Sequence, residues 1–103
     1  MKYLVFRDSL TTAKCFPDSS LKQIRFGLNN AGTVQTDQVD MYFDLVGEKA
    51  KIQLTVNSGT RQSVMENLMK AIAGSKSDII VVANDVSREY VISDIQSISF
   101  PSL

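Results

Sequence analysis

The fold is decided by residues 51–84, which read KIQLTVNSGTRQSVMENLMKAIAGSKSDIIVVAN. Apolar and polar residues alternate over 51–56, as in a strand with one buried face. Apolar residues then recur every three or four positions over 60–74, which predicts an amphipathic helix. The β-branched run over 78–84 is too short for a helix and predicts a strand that is apolar on both faces. The clearest helix of the chain therefore lies between two strands.

The remaining segments extend this pattern into a mainly β domain. We predict strands at 2–7, 21–28, 38–46, 50–56, 78–84 and 89–100, and one helix at 60–74. Residues 8–20 predict a surface loop with at most one irregular turn, and residues 29–32 predict a tight turn. Residues 47–49 join two strands of matching phase as a hairpin. A change of apolar phase between Ile92 and Ile98 predicts a bend where the last strand changes partner or face.

The predicted core combines the inward-facing positions of the strands with the apolar stripe of the helix. Its members are Ile24, Phe26, Val39, Met41, Phe43, Leu45, Ile52, Leu54, Val56, Leu68, Ile72, Val81 and Ile92. The chain has 103 residues, of which 44% are hydrophobic. We expect a single domain over residues 1–103, because this length can bury a modest core without metals or disulfides.

Charge and cysteine content exclude several classes of protein. Eleven basic and eleven acidic residues cancel, so no global field attracts the chain to nucleic acid or membranes. Basic residues prevail over 1–30 and 49–76 and acidic residues elsewhere, which leaves two interpretations open: opposed patches, or scattered solvated charge.

Cys15 is the only cysteine, which fits a reducing compartment. With neither a signal-peptide pattern nor a membrane-length apolar run, we expect a cytoplasmic protein.

The residues of common catalytic and metal sites are missing from the sequence. The chain has no histidine, the commonest general base and metal ligand, and its five glycines are never grouped as in phosphate-binding loops. Asp40 and Asp44 share a strand face but lie about 13 Å apart at strand rise, too far to share a proton. We therefore expect no enzymatic activity, no cofactor, no metal and no small-molecule substrate.

The order of elements over residues 21–100 resembles the Sm-like fold, a small and strongly bent five-stranded barrel. In this comparison helix 60–74 stands between the third and fourth strands, and strand 2–7 is an N-terminal addition. More narrowly, the chain is similar to small barrel proteins of marine cyanophage and ocean-metagenome origin. A competing interpretation is an α+β domain whose antiparallel sheet packs on one helix.

The resemblance implies a homo-oligomeric ring that binds nucleic acid, RNA above DNA, without catalysis. In Sm-like rings the fourth strand of one subunit pairs with the fifth strand of the next. The implied interface residues are Ile79, Val81, Ala83 and Ile95, and the implied nucleic-acid-binding residues are Lys49, Lys51, Asn84 and Arg88. Ring symmetry would multiply these cations. The alternative function is a structural or assembly component of a phage particle or scaffold, which balanced charge and unpaired strand edges also fit.

Overall fold

A computed structural model describes residues 2–28 and 34–101 of the chain. Over these residues it contains β1 (Tyr3–Arg7), β2 (Ala13–Pro17), a 3₁₀ turn (Asp18–Ser20), β3 (Leu21–Leu28), β4 (Val34–Leu45), β5 (Glu48–Val56), α1 (Arg61–Gly74), β6 (Ile79–Asn84), β7 (Glu89–Tyr90) and β8 (Ile95–Ser99). The strands form two four-stranded sheets, sheet I with the order β2-β1-β6-β7 and sheet II with the order β3-β4-β5-β8. The prediction of a mainly β domain with one helix is confirmed.

The two sheets are open, which differs from the single five-stranded barrel that the Sm-like resemblance implies. β1 lies inside sheet I, antiparallel to β2 and parallel to β6, so the N-terminal strand is central and not an addition. Its pairing with β6 places β6 in sheet I, whereas the three strands before the helix, β3, β4 and β5, lie in sheet II. β1 can take this place because its residues are apolar on both faces.

The meander of sheet II follows the sequence closely. β3 has the predicted bounds, β4 starts at Val34 instead of residue 38, and β5 starts at Glu48. The turn between β4 and β5 contains Gly47 at φ +80°, a backbone conformation that favours glycine. The turn predicted at 29–32 lies outside the described residues.

The segment 8–20 is more regular than predicted, because it contains β2 and the 3₁₀ turn. β2 pairs along the whole of β1, from Tyr3 opposite Pro17 to Arg7 opposite Ala13. The sequence of β2 has low strand propensity, and a proline ends it, which is tolerated only in an edge strand. The strand therefore depends on its pairing with β1, which no local pattern reveals.

The last predicted strand is divided between the two sheets. β7 pairs with β6 in sheet I, whereas β8 pairs with β5 in sheet II. The bend predicted between Ile92 and Ile98 is confirmed as the point where the chain changes sheets. At this point the backbone carbonyl oxygen of Asp94 accepts a hydrogen bond from the backbone N–H of Asn57. This bond connects the crossover to the residue that follows β5.

The core lies between the sheets around three aromatic rings. Phe16 of sheet I stacks on Phe43 of sheet II with 4.3 Å between centroids, and Phe6 packs edge-on against both rings. The buried members of the predicted core are Val39, Met41, Phe43, Ile52, Leu54, Val56 and Leu68, and the half-buried members are Ile24, Phe26, Leu45, Ile72 and Ile92. The apolar phase of sheet II was thus predictable from the sequence.

Val81 was wrongly predicted as a core residue. Its side chain is 37% exposed, and Ile80 and Val82 fill the core in its place. The pairing of β1 with β6 shifts by one residue after Val5, so Val82 and Ala83 are both buried. In a strand that is apolar on both faces, alternation alone does not tell the inner face from the outer one.

The helix packs against the core through Val64 and Leu68, both fully buried. Its last turn is held by Lys2, whose Nζ donates to the carbonyl oxygens of Ile72 and Ala73 at 2.7 and 3.1 Å. The ammonium group donates hydrogen bonds to carbonyls that have no partner inside the helix. Its positive charge also interacts favourably with the negative end of the helix dipole. The residue before β1 therefore fixes the helix against sheet I.

Candidate functional site

The outer face of sheet II is polar and holds one connected cluster of side chains. Because Met41, Phe43, Ile52 and Leu54 face the core, strand alternation places their neighbours on the opposite face. Register aligns these neighbours in two rows, Gln23–Tyr42–Lys51 and Arg25–Asp40–Gln53. We call these six residues the polar face.

Asp40 lies at the centre of the polar face, with its side chain fully buried (0% exposed). Its Oδ2 is 3.3 Å from Nζ of Lys51, whose side chain is 14% exposed, and the Tyr42 hydroxyl donates to the same oxygen at 3.4 Å. Burying a carboxylate is costly unless a cation and hydrogen bonds compensate it. Lys51 and Tyr42 provide part of this compensation, since both contact Oδ2 of the aspartate.

Tyr42 is flanked by two cations from the neighbouring strands. The Arg25 guanidinium lies 4.7 Å from the ring centroid, and its Nη2 donates to the Tyr42 hydroxyl at 2.8 Å. Nζ of Lys51 lies 5.8 Å from the same centroid. These are cation–π distances, and they hold both positive groups on the sheet surface beside an aromatic ring.

Gly27 allows β3 to approach this cluster closely. A Cβ atom at this position would lie 2.5 Å from Cβ of Gln38 and 3.2 Å from Oδ1 of Asp40. The first distance is shorter than van der Waals contact allows, so any larger residue would push β3 away from Asp40. The glycine is therefore required by the close packing of β3 against Gln38 of β4, beside the buried carboxylate.

A shallow groove of about 380 Å³ adjoins the polar face near the β4–β5 turn. Its lining residues are Lys22, Gln23, Tyr42, Phe43, Asp44, Lys49 and Ala50. Lys22 and Lys49 are exposed, and within the described residues neither forms a salt bridge. Asp44 is the one acidic residue of this lining, and it lies opposite Lys49 in the strand register. The groove thus adds two solvent-exposed cations to the edge of the polar face.

The four nucleic-acid-binding residues implied by the Sm-like resemblance fall into two separate pairs. Lys49 and Lys51 lie two residues apart on β5 and share the outer face of sheet II. Asn84 and Arg88 lie in the β6–β7 hairpin of sheet I. Asn84 shapes that hairpin, because its Oδ1 accepts the backbone N–H groups of Val86 and Ser87.

The four implied interface residues also divide into two pairs. Ile79 and Val81 are exposed, whereas Ala83 and Ile95 are buried in the core of the single chain. β6 is not an edge strand, since β1 pairs along it and β7 pairs with its last two residues. Ring formation through β6 remains a prediction, but pairing on the β1 side would require separation of β6 from its own sheet.

Sequence reasoning missed Lys22, Arg25 and Tyr42 as members of a site and considered Asp40 only for a proton shared with Asp44. A signal for part of the cluster was available in the β4–β5 hairpin. Counting outward from the turn pairs Tyr42 with Lys51, which brings an aromatic ring and a cation together. The burial of Asp40 had no signal in the sequence, because it depends on side chains from three strands.

Asp85, which the sequence presents only as a charge, anchors the β6–β7 hairpin. The Tyr90 hydroxyl donates to its Oδ1 at 2.7 Å, and the backbone N–H of Ile98 donates to its Oδ2 at 3.2 Å. Burial, followed by the hydrogen bond to Asp85 and its negative charge, raises the pKa of Tyr90 to about 12. The carboxylate therefore links the hairpin of sheet I to β8 of sheet II.

The polar face groups several side chains that can contact a ligand. Over residues 2–28 and 34–101, no group of three or more His, Cys, Asp or Glu side chains could hold a metal ion. In the same part of the chain, no helix has the length and apolar character needed to cross a membrane. What the polar face offers is positive charge, hydrogen-bond donors and an aromatic ring on one surface.

Comparisons of the chain with protein-family models, curated proteins and solved structures found no match. Any functional conclusion must therefore come from the residues and their geometry.

Proposed function

We propose that the protein binds single-stranded nucleic acid, without catalysis, on the outer face of sheet II. The observation that carries this proposal is the grouping of four cations around Tyr42. They are Lys22, Arg25, Lys49 and Lys51. Phosphate contacts from Lys and Arg supply most of the affinity in sequence-independent nucleic-acid binding.

The charge of this face favours a polyanion, although the whole chain is neutral. Asp40 is fully buried against Lys51, so it presents no exposed carboxylate to an approaching phosphate. Asp44 is exposed and opposes binding, but two exposed lysines share its groove. We expect weak binding, with an affinity that falls as salt rises and a log–log slope of about −2 for up to three phosphate contacts on a single strand, because Lys51 already pairs with Asp40.

A single strand suits this face better than a duplex. Sheet surfaces bind unpaired nucleotides by stacking bases on aromatic rings or guanidinium planes while cations follow the backbone. Tyr42 and Arg25 form one such platform, with a hydrogen bond of 2.8 Å keeping the guanidinium beside the ring. A preference for RNA over DNA, a ring and an Sm-like relationship belong to the same hypothesis, but this proposal requires none of them.

Fluorescence anisotropy with labelled oligonucleotides tests this proposal. RNA and DNA strands and a matching duplex are titrated at low salt and again as the salt concentration rises. Lys22→Gln/Lys49→Gln should weaken single-strand binding at least about tenfold, because two phosphate contacts are lost. The control, Lys70→Gln/Lys76→Gln, removes the same charge from exposed positions in and just beyond the helix and should change affinity less than about twofold.

Two results would overturn the proposal. One is a parent protein that does not bind single strands even at low salt. The other is an equal loss of binding in both double variants, which would mean that only net charge matters. Arg88→Gln provides a further comparison, and a loss as large as that of the Lys22/Lys49 variant would place the site on the β6–β7 hairpin instead.

A structural or assembly role is a second candidate, and a specific observation favours it. The outer face of sheet I carries apolar side chains in contact with solvent, including Tyr3 and Ile79 at 43% and 62% exposure. Exposed apolar groups that are contiguous commonly mark contact surfaces. This role would be the only one left if neither RNA nor DNA binds.

A further inference from the structure

The outer face of sheet I has an unusual composition for a sheet surface in contact with water. Leu4, Phe6, Phe16, Ile80 and Val82 face the core, so strand alternation places their neighbours outside. Register aligns these neighbours in two rows, Pro17–Tyr3–Ile79 and Cys15–Val5–Val81. We call these six residues the apolar patch. None carries a charge, whereas outward positions of a sheet that faces water are ordinarily polar.

We propose that the apolar patch is the contact surface for a second copy of this chain, packed face to face across a two-fold axis. In such a contact each residue meets the same patch of its partner, so a charged patch would repel itself. The six residues of the patch are uncharged, which suits self-contact, and Arg7, the next outward residue of β1, donates to the carbonyl oxygens of Ser9 and Leu10. A charged partner would find no complementary group on it.

The surroundings of the patch also tolerate a two-fold contact. Lys76 and Asp78 precede β6, and Arg88 and Glu89 follow it, so each end of the strand presents both signs of charge to solvent. In either orientation of the partner, a positive residue at one end of β6 can face a negative residue of the other copy. Two sheets pack face to face at about 10 Å, with side chains such as Ile, Val and Tyr filling the space between them.

The size of the patch limits the strength of the contact. Three strands about 4.8 Å apart, with two side-chain rows about 6.6 Å apart, provide a few hundred Å² per copy. Stable complexes bury about 800 Å² per partner. We therefore expect a weak dimer that dissociates in a range of roughly 10 µM to 1 mM. It would present the two polar faces outward on opposite sides.

Sedimentation velocity over a concentration series tests the dimer with a matched pair of variants. Ile79→Lys places a cation inside the patch, and Met69→Lys places one on the helix at a side chain of nearly equal exposure, 62% and 61%. The parent and the Met69 variant should shift from monomer to dimer as concentration rises to about 1 mM, while the Ile79 variant stays monomeric. Circular dichroism should show that both variants are folded.

Cys15 offers a second measurement, because its thiol is exposed and lies in the patch. Its rate of reaction with a thiol reagent should fall several-fold as the parent concentration rises, and should remain constant in the Ile79→Lys protein. A parent that is monomeric at 1 mM would overturn the proposal. So would a dimer that Ile79→Lys leaves intact, because its contact would then lie elsewhere. Neither outcome bears on nucleic-acid binding by sheet II.

Discussion

The outer faces of the two sheets differ in a way that the inner faces do not. Both inner faces are apolar and contribute to one core around Phe6, Phe16 and Phe43. Outside, sheet II buries a carboxylate within a network of cations and an aromatic ring, whereas sheet I exposes uncharged side chains. Solvation alone would favour scattered polar groups on both surfaces, so the two outer faces depart from that expectation in different ways, and each departure motivates one of the two proposals.

The largest effect should come from the core that both sheets share. Phe43→Ala removes a ring that stacks on Phe16 and is only 2% exposed. We expect a loss of about 3–5 kcal/mol in the free energy of unfolding, because a cavity opens between the sheets. Denaturant titration measures it, and a loss below about 1 kcal/mol would mean that the two sheets do not meet at this residue.

The second-largest loss of stability should distinguish the buried carboxylate of Asp40 from the exposed carboxylate of Asp44. Asp40→Ala leaves Lys51 and the Tyr42 hydroxyl without the oxygen that they contact. The free energy of unfolding should fall by about 3 kcal/mol, as when one member of a largely buried ion pair is removed. Asp44→Ala, on the same strand face but exposed, is the control and should change it by less than about 0.5 kcal/mol. Equal losses would mean that Asp40 is not buried.

The third effect concerns the link between the sheets and depends on pH. Tyr90→Phe removes the hydrogen bond to Asp85 and should lower the free energy of unfolding by about 1 kcal/mol at pH 7. The pKa of Tyr90 is raised from 10.0 to about 12 by folding, so its contribution is complete below pH 10 and is lost as pH rises through 12. The stability difference between parent and variant should therefore shrink over that interval. A constant difference would contradict the assigned hydrogen bond.

The smallest effect is expected on the apolar patch. Val81→Thr keeps the β-branched shape at a position that is 37% exposed. Measured on dilute monomer, the free energy of unfolding should change by less than about 0.5 kcal/mol. A larger loss would place Val81 in the core, as the sequence had suggested, and would weaken the contrast between the two outer faces.

The comparison also explains how far the sequence could lead. Strand 21–28, the 47–49 turn region and the helix follow from local periodicity and turn residues, and the structure confirms them. The parallel pairing of β1 with β6 joins residues more than seventy positions apart, and no local pattern encodes it. Missing that pairing led to a barrel instead of two sheets and to the wrong face for Val81.

The candidate site was predictable only in part, for a related reason. The Sm-like resemblance implied Lys49 and Lys51 as nucleic-acid-binding residues, and they do share a face. The sequence did not single out Arg25 or Tyr42. Their importance comes from contacts across three strands, with Arg25 on β3, Tyr42 on β4 and Lys51 on β5. Such contacts depend on strand register, and register can be predicted from the sequence only where a tight turn is recognisable.

The most direct test of the account maps amide chemical shifts while a single-stranded RNA is added at constant, low protein concentration. We predict that the amides of Arg25, Tyr42 and Lys49 shift progressively, because they lie on the face with the grouped cations, and that Ile79 and Val81 remain in place. Shifts confined to sheet I, or to the hairpin of Asn84 and Arg88, would contradict the division of roles between the two faces.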